Sequence, residues 1–289
     1  MIIDIHCHAG HGDRLTAPWN TSAPLEQHLR RARAAGIDRT VVFAAFHSDY
    51  HAANREVAKI VAAQPGRLMG FAFVHPDRDR HRLAMMLEAA IGQWGFRGIK
   101  VHGSDGFPNR TLCDLAQRYG VPILVDVVGQ AHTIDMFARE YPAVNFIIPH
   151  LGSFADDFRA HERVVEQIVR YPNVYTDTSG VRRFDYLVEA VRRGGVRKIL
   201  FGSDGPWLHP GLELHKVRLL GLPGAAQAAI LGGNATRLLG LEQSGTGSRV
   251  GAGAGSGLSA PAAASHGSGQ RKLEPGESRG SRGGRLARA

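Results

Sequence analysis

A histidine pair one residue apart, His6-Cys7-His8, stands at the end of a short apolar run near the start of the chain. In an extended chain side chains alternate faces, so Asp4, His6 and His8 are expected on one side and Ile3, Ile5 and Cys7 on the other. Two imidazoles one pleat apart can grip one divalent cation. Cys7 faces away from them and is expected in the core. With 15 histidines in 289 residues, chance alone supplies about one such pair, so its position is what informs. Residues able to ligate or move protons also end later apolar runs: Lys100 and His102, Asp126, His150, Asp177, and Asp204 in Gly202-Ser203-Asp204.

These residues need elements that bring them together. Eight β-like runs are legible: 2–6, 40–45, 68–74, 98–102, 122–127, 145–150, 173–177 and 198–202. Most are apolar throughout, as in parallel strands covered on both faces. Helix-like stretches alternate with them. In the first, Leu25, Leu29 and Ala32 share a face, with Ser22 as the expected cap and Gly36 as the expected end. Eight β/α units in about 240 residues predict a (β/α)8 TIM barrel, whose strand ends converge on one mouth. A doubly wound open sheet usually has fewer strands, and no Gly-rich phosphate loop follows the first run.

The chain divides by composition. Residues 1–241 form the expected barrel, while 242–289 are rich in Gly, Ala, Ser and Arg and lack any aromatic residue. Such a segment cannot bury enough apolar surface to offset its ordering entropy, so a disordered tail is expected. The formal charge is +9. The tail has seven Lys/Arg against three Asp/Glu, a net of +4, which leaves +5 on the first 241 residues. That is modest, and it suits an anionic small-molecule substrate. Nucleic-acid binding by the tail arginines is the weaker reading, because no aromatic residues interleave with them. Met1 leads directly into Ile2-Ile3-Asp4-Ile5-His6, with no basic and apolar leader, and no run is long enough for a membrane span. With only two cysteines, Cys7 and Cys113, a reducing cytoplasm is the expected location.

The motifs resemble the amidohydrolase superfamily, and more narrowly its amidohydrolase-related group, which includes aminocarboxymuconate-semialdehyde decarboxylase and aromatic-acid decarboxylases. Ile3-Asp4-Ile5-His6-Cys7-His8 resembles the group's opening strand. Gly95 through His102 resembles its strand-four segment, Pro149-His150-Leu151-Gly152-Ser153 its strand-six histidine motif, and Leu200 through Trp207 its strand-eight aspartate motif. Ile230 through Leu239 resembles its closing helix. The resemblance implies a TIM barrel, a homodimer and one divalent ion, Zn first, with Mn or Mg as alternatives. It implies His6, His8 and Asp204 as ligands, with Asp204 also taking a proton from water, and His150 as a polariser or proton shuttle. One departure stands out. Where the group has a strand-five histidine ligand, this chain has Asp126, in Pro122-Ile123-Leu124-Val125-Asp126. Asp126 is an oxygen ligand on one reading and would then harden the site. On the other it orients a neighbour, or metal binding is lost, as in the superfamily's metal-free lactonases.

Lys100 and His102 are expected to contact an anionic substrate at the same mouth. Arg182, beside Arg183, is a candidate carboxylate clamp, and Trp207 and His209 are candidate pocket walls. His47 and His51, four apart, suit one helix face but also a solvated helix start. The leading function is a metal-dependent hydrolase or hydratase of a small carboxylated substrate, working through a metal-activated water. The alternatives are a non-oxidative decarboxylase of an unsaturated or aromatic acid on the same site, and a metal-independent lactonase-like hydrolase.

Overall fold

The computed structural model describes residues 1–13, 22–154 and 156–241, and the predicted tail lies outside the described residues. Among the described residues nine strands form in chain order: β1 (Ile3–His11), β2 (Ser22–Ala23), β3 (Arg39–Ala44), β4 (Leu68–Phe73), β5 (Gly98–His102), β6 (Ile123–Asp126), β7 (Phe146–Ile148), β8 (Val174–Asp177) and β9 (Ile199–Leu200). They make one sheet ordered β2-β1-β3-β4-β5-β6-β7-β8-β9. β1 and β3–β9 are parallel neighbours, and β2 alone pairs antiparallel, with the far end of β1. The sheet curls until its edges meet. Ile5 N donates to Phe201 O at 2.9 Å, and His8 N to Gly205 O at 2.6 Å. This is the (β/α)8 barrel that the eight runs predict.

The strand residues explain the closure. Val41, Val42, Phe43, Phe71, Ala72, Phe73, Val125, Ile147 and Ile148 are all fully or almost fully buried, because helices cover the outside and side chains fill the inside. Long helices cover the early and late strands, including Leu25–Ala35, Tyr50–Ala63 and Phe158–Arg170. Gly36 ends the first of these in the left-handed conformation at φ 82°, as predicted, and its N–H turns back to the carbonyls of Ala32 and Arg33.

Two local expectations fail. Ser22 does not cap that helix. It lies in β2, and the helix begins at Leu25 after Pro24 with no side-chain cap. The strict alternation of β1 also breaks. A bulge shifts the β1–β3 register between Asp4 and Cys7, and a bulge re-aims the side chains around it. The Asp4 carboxylate consequently meets Ser203 and the helix residue His28, with Oδ2 3.6 Å from His28 Nε2. His6 and His8 remain together at the mouth, ring centroids 5.8 Å apart.

Candidate active site

The two β1 imidazoles are held by their Nδ1 edges. His6 Nδ1 lies 2.9 Å from Asp177 Oδ2, at the end of β8. His8 Nδ1 lies 2.9 Å from the carbonyl of Ala44, at the end of β3. Both partners only accept, so each Nδ1 carries a proton and each Nε2 faces inward, where a singly protonated ring offers its lone pair. Burial, reinforced by Lys100 and His6, pushes the His8 imidazole well below its ordinary pKa and keeps it neutral.

Asp204 comes from the other side of the barrel seam. Its Oδ1 lies 3.3 Å from His6 Nε2 and 3.9 Å from His8 Nε2. Its backbone sits at φ 52°, a left-handed conformation that costs energy unless neighbours hold it. The neighbour that holds it is Ser203, whose N–H and hydroxyl both donate to Asp4, at 2.9 and 2.5 Å. Burial lifts the Asp204 carboxyl above its ordinary pKa, against the pull of His6, His150 and Lys100.

These three groups fit a cation. His6 Nε2 is buried and makes no hydrogen bond, yet it faces a carboxylate oxygen. With one proton on the His6 ring, two lone pairs face each other at that distance and repel, and a cation between them turns the repulsion into coordination. His6, His8 and Asp204 form one cluster of convergent donor atoms; His6, His150 and Asp177 form a second, overlapping one. The Asp177 contact fixes the His6 tautomer and ring plane, as a carboxylate behind a ligating histidine does.

His150 follows β7 in a tight turn. His150, Leu151 and Gly152 have φ values of 58°, 50° and 93°. Side-chain and backbone bonds hold this strained run. The His150 N–H donates to Asp177 Oδ1 at 3.1 Å, Nδ1 donates to Ser179 O at 2.8 Å, and buried His161 donates from Nδ1 to Leu151 O at 3.0 Å. Burial opposes protonation of His150. The charges of Asp204, Asp126 and Asp177 outweigh it and raise the pKa.

Asp126 ends β6 directly opposite His102 on β5. Its Oδ2 lies 3.3 Å from His102 Nε2 and 3.6 Å from His150 Nε2. Asp126 is thus brought beside His150 and His102, and among the described residues it belongs to neither donor cluster. Lys100 is buried inside the barrel, with its Nζ 5.0 Å from the centre of the Phe43 ring. Burial lowers its pKa, and Asp126, Asp204, Asp177 and Asp105 oppose that.

A recess of about 510 Å³ opens here, lined by His102, Asp126, Val128, Ser153, Phe154 and Arg182 among others. Arg182 is exposed on its rim, 3.4 Å from Asp156. Trp207 packs on His8 with centroids 4.4 Å apart, and Phe46 stands 5.9 Å from His8 and 4.7 Å from His102. His209 is exposed and caps the helix Pro210–Leu219 through Gly211 N, so it does not wall the pocket. His47 lies ahead of the helix Tyr50–Ala63 and accepts from Asp49 N, so it and His51 do not share a helix face.

A family model described as amidohydrolase matches residues 3–241, nearly the whole described barrel. The chain belongs to the amidohydrolase family. Solved structures share its fold at low identity. A 2,6-dihydroxybenzoate decarboxylase from Rhizobium superposes with a TM-score of 0.67 at 18% identity, over 84% of this chain and 99% of that one. A dihydroxybenzoic acid decarboxylase from Polaromonas, solved with bound manganese and the inhibitor 2-nitroresorcinol, gives 0.62 at 19%, over 84% and 97%. A 4-oxalomesaconate hydratase from Rhodopseudomonas palustris gives 0.62 at 17%, over 83% and 96%. No curated protein matches the chain. Among the described residues no helix is long and apolar enough to cross a membrane.

In the sequence Asp177 stands out only as a strand end, and Ser179 falls in no motif. The structure makes them a shared anchor. Asp177 accepts from His6, from the His150 backbone, and from both the N–H and the hydroxyl of Ser179, the last at 2.6 Å. These contacts outweigh burial and hold its carboxyl down to about 2. Its place at the end of the seventh barrel strand was the available signal.

Proposed function

We propose that this amidohydrolase holds one divalent cation on His6, His8 and Asp204 and decarboxylates a small aromatic or unsaturated acid without oxidation. The observation that carries this reading is the composition of the mouth. Phe46 and Trp207 flank the imidazole of His8, while His102 and Arg182 line the recess beside it and Lys100 lies buried within the barrel below. A flat ring with a carboxylate matches both halves of that surface. The folds it shares with two decarboxylases and a hydratase of carboxylated compounds fit the same substrate class.

A cation bound at this site supplies Lewis-acid polarisation of a substrate oxygen. Two imidazole nitrogens and one carboxylate suit Zn and accept Mn. The chain's own groups do the rest. Lys100 places an ammonium in a dry setting where its attraction for an anion is strong. In the decarboxylation the bond between the ring or alkene carbon and the carboxylate breaks. Its electron pair stays on that carbon, and carbon dioxide leaves. His150, anchored through Nδ1, gives its Nε2 proton to the carbon and regains one from solvent. A second reading, hydrolysis or hydration, is favoured by Asp204 Oδ1, which stands beside both Nε2 atoms where a base for water is needed.

The test is a panel of hydroxylated benzoates and unsaturated diacids, given to the Zn- and Mn-loaded protein with carbon dioxide release as the readout. Matched esters, lactones and alkene acids are assayed for hydrolysis and hydration. Carbon dioxide release that a chelator abolishes is expected. Turnover of the ester, lactone or hydration panel without it moves the assignment to the second reading, and turnover untouched by chelator and metal removal rejects the cation.

A further inference from the structure

We infer that Glu213, paired with Lys216 on the helix Pro210–Leu219, is a positioning residue that sets the peptide plane between Ser179 and Gly180 and, through it, the ring of His150. The use of that positioning rests on the proton-donor role proposed above for His150, while the contacts themselves stand whatever the reaction.

The chain leaves β8 at Asp177 and turns through Thr178, Ser179, Gly180 and Val181. Gly180 is left-handed at φ 63°, and a side-chain carbon there would lie 2.5 Å from the Phe154 ring and 3.3 Å from His150 Nδ1. The turn is thus pressed against a wall of the recess and against His150, so a small rotation of its backbone moves both. Glu213 is buried behind it. Its Oε2 accepts the Gly180 N–H at 2.9 Å and stands 2.6 Å from Lys216 Nζ. That ammonium also donates to the carbonyls of Thr178, at 3.2 Å, and Val181, at 2.9 Å, so each of its three protons has an acceptor.

The group that transmits the grip is the peptide between Ser179 and Gly180. A trans peptide is planar, and its C=O and N–H point in opposite directions. Glu213 holds the N–H of this plane, and the C=O receives His150 Nδ1 at 2.8 Å. A carboxylate on one edge of the plane therefore orients the carbonyl on the other. Ser179 Oγ, which donates to Asp177 at 2.6 Å, lies 3.0 Å from the same His150 nitrogen, so Ser179 faces the ring with both oxygens. A buried ion pair adds little net stability over a well-packed apolar pair; what this one supplies is direction. The helix that carries it follows the Asp204 segment, where Leu208 N donates to Asp204 O at 3.3 Å. It ties the cation side of the mouth to the side that carries His150.

The experiment records nitrogen–proton spectra of the histidine rings and amide hydrogen exchange on the full chain, for wild type, Glu213→Ala, Glu213→Gln and the double variant Glu213→Leu with Lys216→Met. In Glu213→Ala the His150 Nδ1 proton signal should move and the Gly180 amide should exchange about tenfold faster or more. Glu213→Gln keeps an oxygen for the Gly180 N–H, so its His150 signal should stay in place and its Gly180 exchange within about threefold of wild type. The double variant removes both charges together; it should unfold in urea close to wild type and still show the moved His150 signal. A His150 signal that is unmoved in Glu213→Ala, or displaced equally in Glu213→Gln, overturns the inference and leaves the pair a purely structural one. Should Glu213→Ala fail to fold, the double variant decides: a moved His150 signal supports the positioning, and a wild-type signal rejects it. None of these signals depends on carbon dioxide release, so failure of the proposed reaction and failure of the positioning are read separately.

Discussion

Replacing Asp177 tests the core of the site, because one buried carboxylate serves two functional histidines. Its oxygens receive four donors: His6 Nδ1 at 2.9 Å, His150 N at 3.1 Å, Ser179 N at 3.0 Å and Ser179 Oγ at 2.6 Å. Asp177→Ala leaves these donors in a site with no exposure. Each stranded buried donor costs about 1–3 kcal/mol, some will find water, and the expected net loss is about 3–5 kcal/mol, as when a buried pair loses one member. Asp177→Asn keeps the shape and isolates the charge. The folded value of about 2 lies below the ordinary carboxylate value of 3.8. A depressed acid stabilises the fold above its unfolded pKa, and that contribution is lost as pH falls through the folded value. The shift corresponds to about 2 kcal/mol at pH 7, with roughly half gone by pH 3. Urea unfolding of the metal-stripped proteins should therefore show wild type and Asp177→Asn converging as the pH is lowered from 7 to 3. Cation affinity of the variant should fall about 10- to 100-fold through loss of His6 orientation. A stability gap independent of pH, together with unchanged affinity, would refute the reasoning.

Two further outcomes follow from packing. A methyl at residue 205 would lie 2.1 Å from the ring of buried His28, and the backbone there is tied to β1 through His8 N. Gly205→Ala should cost about 1–3 kcal/mol in urea unfolding by overpacking and weaken Mn(II) binding, because it displaces neighbouring Asp204; wild-type stability would show that the seam relaxes freely. Burial, reinforced by Asp114 and Glu140, pushes the Cys113 thiol up to about 12, and burial with Asp4 and Asp204 raises Cys7 well above its ordinary value. Neither thiol should react with a disulfide reagent at pH 8 until the protein unfolds, and a fast phase from folded protein would contradict that.

The barrel is legible in the sequence because parallel strands announce themselves. Val41 through Ala45 and Ile147-Ile148 have no polar alternation, which only coverage on both faces permits. Boundaries are less legible. Phe201 falls outside β9, yet its carbonyl still receives Ile5 N and helps close the sheet. Ser22 has the chemistry of a helix cap, but pairing with His11 in β2 holds that stretch extended, and tertiary pairing overrides the local preference.

The site divides along the same line. His6, His8 and Asp204 could be named from one strand and one motif, because β1 and the segment that follows β9 carry them to the mouth. What a ligand-type residue does there depends on which partner holds it, and partners come from other strands. Asp126 and Asp177 have the same side chain at equivalent strand ends, and no local pattern separates them. In space one stands behind His6 and takes a proton from Nδ1, so that Nε2 is free for a cation. The other stands before His102 and His150 and meets both at Nε2. Which edge of an imidazole each aspartate faces is therefore a property of the folded barrel, set by partners on other strands and not by any local motif.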